Sequence, residues 1–158
     1  MAADNNNSNN GVNKGILTAA AVTVTVKGGD YADCLSSDDI DRILLPELGR
    51  RTLPADTFYH LARGEDIKVC IQDGMLCVVH VRHHWVLAMF GHGESWRVWD
   101  SAPSFAVQRD LGALARQIRR HPPVFVTCPQ QLRGSNECGV FAIAFALMLH
   151  RNVAIPAR

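Results

Sequence analysis

Charge of one sign is scarce in this chain. Its 158 residues hold 16 lysines and arginines against 15 aspartates and glutamates, a formal net charge of +1. Close cysteine pairs are missing too. The five cysteines are an odd number with no CxxC spacing, which argues against a disulfide framework and reads as reduced thiols. No long hydrophobic run exists. The longest nearly uninterrupted one, Cys138–Leu149, has 12 residues, too few to span a bilayer, and reads as a buried helix. The polar stretch Met1–Asn10 has no apolar segment of the right kind behind it, so no signal peptide is expected. Internal repeats are also lacking. These absences predict an intracellular protein of a reducing compartment, cytoplasm or nucleus, or a host cell if the source is viral or an effector. No membrane association is expected.

Hydrophobic residues make up 47% of the chain and charged residues 20%, the profile of one globular domain with a full-sized core. Asn5–Asn10 is low in complexity, so residues 1–16 are expected to be a disordered tail before a single domain over 17–158. The balanced charge is unevenly spread. Residues 1–80 carry 7 basic and 11 acidic side chains, and residues 81–158 carry 9 and 4. Acids concentrate in Gly28–Arg42 and bases in Ala113–His121. The basic cluster is three arginines without interleaved aromatics. It reads as a solvated helix face, and a nucleic-acid partner is not expected. Oligomeric state leaves no signal.

Local patterns predict an α+β domain with a central, mainly antiparallel sheet packed against helices. Leu17–Lys27 reads as a strand ended by Gly28–Gly29. Ser36 or Ser37 caps a short helix that Pro46 stops. Asp66–Ile71 and Met75–Val81 read as a hairpin around Asp73–Gly74. His84–Phe90 and Ser95–Asp100 are two more strands. Asp110 is the expected cap of a helix reaching about Arg120, Val124–Thr127 is a last short strand, and Cys138–His150 is the final helix.

The run CPQQLRGSNECGVFAIAFALML, Cys128–Leu149, puts Cys138 where a polar loop becomes that helix. Unpaired N–H groups and the helix dipole favour a thiolate there, with Ser135 or Asn136 as candidate caps. Most unpaired cysteines are merely small buried hydrophobes, and Cys70, Cys77 and Cys128 read that way. Upstream, His84 opens a strand, on a face with Val86, Ala88 and Phe90 if the strand is regular. Asp100 closes the next strand, 16 residues on. A hairpin would bring the two together, so Asp100 can fix the imidazole tautomer. Gln131, in the loop before Cys138, can donate to an oxyanion, and its neighbour Gln130 is chemically equivalent. Cys77, His80, His83 and His84 are close in sequence but alternate in direction along a strand, so no metal is expected.

The order His84–Trp85, Asp100, Gln131, Cys138–Gly139 resembles the cysteine proteases that process ubiquitin-like modifiers, the SUMO-protease type, and the related adenovirus protease. Pro129–Phe141 and the helix-opening CLSSDDIDRILL, Cys34–Leu45, add to the likeness. Gln131 stands seven residues before Cys138, a spacing similar to the adenovirus protease, where the SUMO type usually has six. Glu137 stands where that type often has Asp, and the domain is smaller than most members.

This resemblance implies a papain-like or adenovirus-protease-like fold and a thiol peptidase or isopeptidase that needs no cofactor. It implies Cys138 as nucleophile, His84 as base, Asp100 as orienter and Gln131 as oxyanion donor. Trp85 and Gly139 would border a narrow channel for a Gly-Gly tail of a ubiquitin-like protein, or for a polyprotein site. Two other readings stay open. One is an effector-type acetyltransferase on the same triad. The other is a silent binding module for a ubiquitin-like protein. Gly28–Gly29 is either an ordinary turn or a site of self-processing.

Overall fold

The computed structural model describes residues 15–19, 22–26 and 34–157. A hairpin of β1 (Gly15–Ala19) and β2 (Val22–Val26) comes first. Helices α1 (Ser37–Leu48) and α2 (Thr57–Ala62) follow, joined through a short 3-10 turn at Gly49–Arg51. Then come β3 (Leu76–Val81), β4 (His84–Phe90), β5 (Trp96–Trp99), α3 (Phe105–Gln117), β6 (Val124–Val126) and α4 (Cys138–His150).

The central sheet has the order β3-β4-β5-β6. The first three strands are antiparallel, and β6 is parallel to β5. Parallel pairing needs a crossover, and α3 supplies it. β3 and β4 are apolar on both faces, so the sheet is covered twice. Leu76, Val78, Trp85 and Leu87 pack with α1 and α4, while Cys77, Val79, Val86 and Ala88 pack with α2 and α3. α4 is buried from Cys138 through Met148. A helix with no polar face is stable only inside a core. Each large side chain it buries contributes about 1.5–3 kcal/mol. That burial holds the helix start, and so Cys138, against the end of the sheet.

Ser36 caps α1 through a full capping box: its hydroxyl accepts from the Asp39 N–H at 3.2 Å, and Asp39 Oδ2 accepts from the Ser36 N–H at 3.1 Å. The final helix spans Cys138–His150, as the sequence predicts.

Several expectations are corrected. The single strand over Leu17–Lys27 is a two-stranded hairpin that begins at Gly15, inside the expected tail. Residues 1–14 and Gly28–Gly29 lie outside the described residues. Pro46 does not stop α1, which runs on to Leu48 with the proline inside its last turn. Asp66–Ile71 is not a strand. Its alternating Ile67, Val69 and Ile71 line a groove with Leu61 and Ile118. The Asp73–Gly74 turn forms, with Gly74 at φ 82°, but leads from that loop into β3. The hairpin turn between β3 and β4 is Arg82–His83, where Arg82 adopts φ 58° and Val81 pairs with His84. Arg82 Nε donates to Asp110 Oδ2 at 2.7 Å, which pins this turn to α3. Asp110 therefore does not cap α3. Ser104 does, one turn and more upstream, accepting from the Val107 N–H at 3.2 Å.

Candidate active site

α4 begins level with the start of β4, so Cys138 meets His84 at the strand's end. The Cys138 thiol lies beside the His84 ring and the backbone N–H groups of Trp85 and Gly139, near enough for each to favour the thiolate. On the other side of the ring, His84 Nε2 donates to Asp100 Oδ1 at 2.6 Å. Nδ1 is the nitrogen left for Cys138. Asp100 Oδ1 also accepts from the Ala102 N–H at 2.9 Å, which fixes the carboxylate just beyond β5. His84 pairs with Val81 at the start of β4 and Asp100 directly follows β5, so the two meet at one end of the sheet. His83 lies in the turn, exposed.

Burial lines this site, with the side chains of His84 and Asp100 only 13% and 3% exposed. Burial alone would push the His84 pKa down, but the hydrogen bonds and charges of Asp100 and Cys138 raise it to about 9. Burial would likewise push the Cys138 thiol up. The His84 hydrogen bond, the Trp85 N–H, the His84 charge and the Gly139 N–H reverse that and hold it below its ordinary value. The two shifts favour a thiolate–imidazolium pair. Two other cysteines show the contrast: burial pushes Cys77 up to about 12 and Cys128 up to about 11. Cys70 is exposed in the loop, not buried in a strand, and no disulfide joins any of the five cysteines.

No side chain caps α4. Its N-cap is Glu137, not Ser135 or Asn136. Glu137 Oε2 instead accepts from the Ser135 hydroxyl at 3.0 Å. An uncapped helix start typically costs about 1 kcal/mol. It leaves the first N–H groups of α4 open for negative charge.

The adjacent glutamines divide their roles. Gln130 Nε2 donates to the carbonyls of Asp100 at 3.1 Å and Cys128 at 2.9 Å. It ties down the backbone under the carboxylate. Gln131 Oε1 accepts from the Ser101 hydroxyl at 2.9 Å, and its Nε2 donates to the Ser135 carbonyl at 2.7 Å. One Nε2 proton remains for another acceptor.

Trp85 Nε1 donates to the Leu35 carbonyl at 2.9 Å, and the ring stacks on His80 at 4.3 Å. His80 thus packs as part of the wall and does not group with Cys77. Gly139 is where this wall meets α4. A Cβ there would lie 3.1 Å from Leu35 Cβ and 3.3 Å from Trp85 Cδ1. Its missing side chain serves protein packing first. Beyond the wall is a cleft of about 460 Å³ lined by Leu35, Tyr59, His80, His83 and Trp85 among others. Sequence reasoning missed Leu35 and Ser101, because neither residue type advertises chemistry. Both contribute through backbone or neighbour contacts that only the fold creates.

No family model matches the sequence, and no curated protein matches it. Solved structures do. The chain is similar to the SUMO protease Ulp1 with its catalytic cysteine oxidised to a sulfinic acid, at 14% identity and TM-score 0.53, over 77% of this chain and 68% of that one. It is also similar to the C-terminal Ulp1 protease domain in complex with Smt3, the yeast ortholog of SUMO, at 14% identity and TM-score 0.53, over 90% of this chain and 79% of that one. The fold is α+β, a mixed sheet packed against helices, of the Ulp1-like, papain-like cysteine-protease type.

Proposed function

We propose that this protein is a thiol peptidase or isopeptidase that cuts after a glycine-containing tail. The observation that carries this reading is the line Cys138–His84–Asp100 at the start of an uncapped helix, with the thiol held low and the imidazole held high. The Cys138 thiolate bonds to the scissile carbonyl carbon, and the carbonyl π electrons move to its oxygen. Gln131 Nε2 and the Cys138 N–H receive that oxyanion. Collapse expels the amine, which takes a proton from His84 and leaves a thioester. Water then gives a proton to His84, attacks the thioester, and frees the acid and the thiolate. Asp100 holds the imidazole tautomer throughout.

The tail would approach along the Trp85–Leu35 wall, and glycine suits that approach because it brings no side chain. The preferred substrate is a ubiquitin-like protein ending in Gly-Gly, or a polyprotein site of that form. A reducing compartment suits an enzyme whose activity depends on a thiolate.

A panel of ubiquitin-like proteins carrying an electrophile on the terminal glycine tests this. Intact mass should show one adduct on the wild type and none on Cys138→Ala. Tight binding without an adduct would make the protein a binding module. Acetylation of Cys138 by acetyl-CoA, with no tail cleavage, would make it an acetyltransferase.

A further inference from the structure

We propose that Ser101 is a positioning residue for acyl transfer, whose hydroxyl sets the facing of the Gln131 carboxamide. The inference rests on the acyl-transfer reading above. A carboxamide has two ends of nearly equal shape, and only its hydrogen bonds decide which end points where. The Ser135 carbonyl, 2.7 Å from Nε2, admits only a nitrogen. Oε1 is then held by the Ser101 hydroxyl at 2.9 Å. Ser101 grips the main chain of the same residue too, since its carbonyl accepts from the Gln131 N–H at 2.9 Å.

Ser101 is 2% exposed, so the hydroxyl it presents to Gln131 is itself shielded from bulk water. With both bonds in place the carboxamide plane is fixed, and so is the direction of the Nε2 proton that Ser135 does not take. That proton is the one an oxyanion would use. Ser101 also directly follows Asp100, whose carboxylate holds His84. One dipeptide therefore orients the base through its first side chain and the oxyanion donor through its second.

Two reactions of Cys138 separate this role from a general structural one. In p-nitrophenyl acetate the thiolate bonds to the carbonyl carbon, an oxyanion forms, and its collapse expels p-nitrophenolate and leaves an acetyl thioester. With iodoacetamide the thiolate displaces iodide, and no oxyanion forms. Ser101→Ala should slow the p-nitrophenolate burst about five- to tenfold, the value of one net hydrogen bond. Alkylation should stay within about twofold, by the same reasoning that it needs no oxyanion donor. In a Gln131→Ala background the added Ser101→Ala change should matter less than about twofold, because its only route of action is gone.

An unchanged burst in Ser101→Ala overturns the proposal. Parallel slowing of both reactions does so as well, as does an equal loss with and without Gln131. A wild type that alkylates at Cys138 yet releases no more p-nitrophenolate than Cys138→Ala overturns the acyl-transfer reading itself, and the positioning role with it. A wild type that acylates but cuts no Gly-Gly tail refutes only the tail specificity.

Discussion

The Trp85 indole N–H donates to the Leu35 carbonyl at 2.9 Å, across fifty positions of sequence. This bond joins the approach to α1 to the residue that follows His84. Gly139, the residue after Cys138, sits under both partners. The residue after Cys138, the residue after His84 and the start of α1 are thus held in one contact.

Gly139→Ala tests that contact. Within a helix, alanine is favoured over glycine by about 1 kcal/mol. The new Cβ would meet Leu35 Cβ at 3.1 Å, Leu35 Cδ1 at 3.2 Å and Trp85 Cδ1 at 3.3 Å, so three crowded contacts oppose the gain. The wall must shift by a few tenths of an ångström. Thermal unfolding should move by only a few degrees, about what 1 kcal/mol gives in a domain of this size. Turnover should fall at least about tenfold, since displaced catalytic geometry is costly. An active, stabilised variant would show that the wall yields freely.

Cys138→Ala should abolish turnover and probe labelling while the fold stays intact. Alanine keeps helix propensity and most of the side-chain volume at this buried position. Circular dichroism and a hydrolysis assay on the same sample check this. Substantial turnover by pure, folded variant protein would remove Cys138 from the mechanism.

His84→Ala should eliminate activity, and His83→Ala should keep most of it. Only His84 contacts Cys138 and Asp100, whereas His83 is exposed in the turn. Asp100→Asn should be damaging but less absolute, since the Cys138–His84 pair persists in a poorer tautomer. Steady-state kinetics of the three variants decide the matter. Equal losses at His83 and His84 would contradict the register of β4.

Much of this site is legible in the sequence because short-range rules place it. His84 starts a seven-residue strand, Asp100 follows the partner strand, and Cys138 opens an apolar helix. The antiparallel β4–β5 pairing then brings His84 and Asp100 together. The misreadings share a cause: tertiary contacts overrode local signals. Asp73–Gly74 carries the strong turn dipeptide, yet Arg82–His83 makes the hairpin into β4, with Arg82 held at positive φ beside Asp110. Asp110 reads as a cap but is drawn to Arg82 within α3. The partner of the Gln131 carboxamide is Ser101, thirty residues upstream, and no spacing rule reaches that far.

Gln131→Ala should lower kcat more than it raises KM, because an oxyanion donor acts mainly in the transition state. Losing one such donor costs roughly 3 kcal/mol, or about two orders of magnitude. Gln130→Ala should do much less to the chemical step, as its amide is spent on the carbonyls of Asp100 and Cys128. A larger kcat loss at Gln130 would reassign the donor and move its spacing to eight residues.

The pH dependence follows from the paired shifts. His84 is raised to about 9 and Cys138 is held below its ordinary 9.0, so the thiolate–imidazolium form occupies the interval between their titrations. As pH falls, the thiolate takes up its proton at lower pH than an ordinary thiol does, so iodoacetamide should modify Cys138 faster at neutral pH than an unperturbed cysteine. Cys77 and Cys128 should stay inert in the native protein, since burial pushes both thiols up. As pH rises through about 9, His84 loses the proton that the leaving amine requires. Peptide hydrolysis should then decline on the alkaline side while alkylation does not. Asp100→Asn removes one of the interactions that raise His84 and should bring the alkaline decline to lower pH. His84→Ala removes the leading interaction that lowers the thiol and should carry the alkylation midpoint upward. Alkylation rates and hydrolysis rates measured across the same pH series check both limbs. A wild-type alkylation midpoint at the ordinary thiol value, unmoved in His84→Ala, would mean that no ion pair forms.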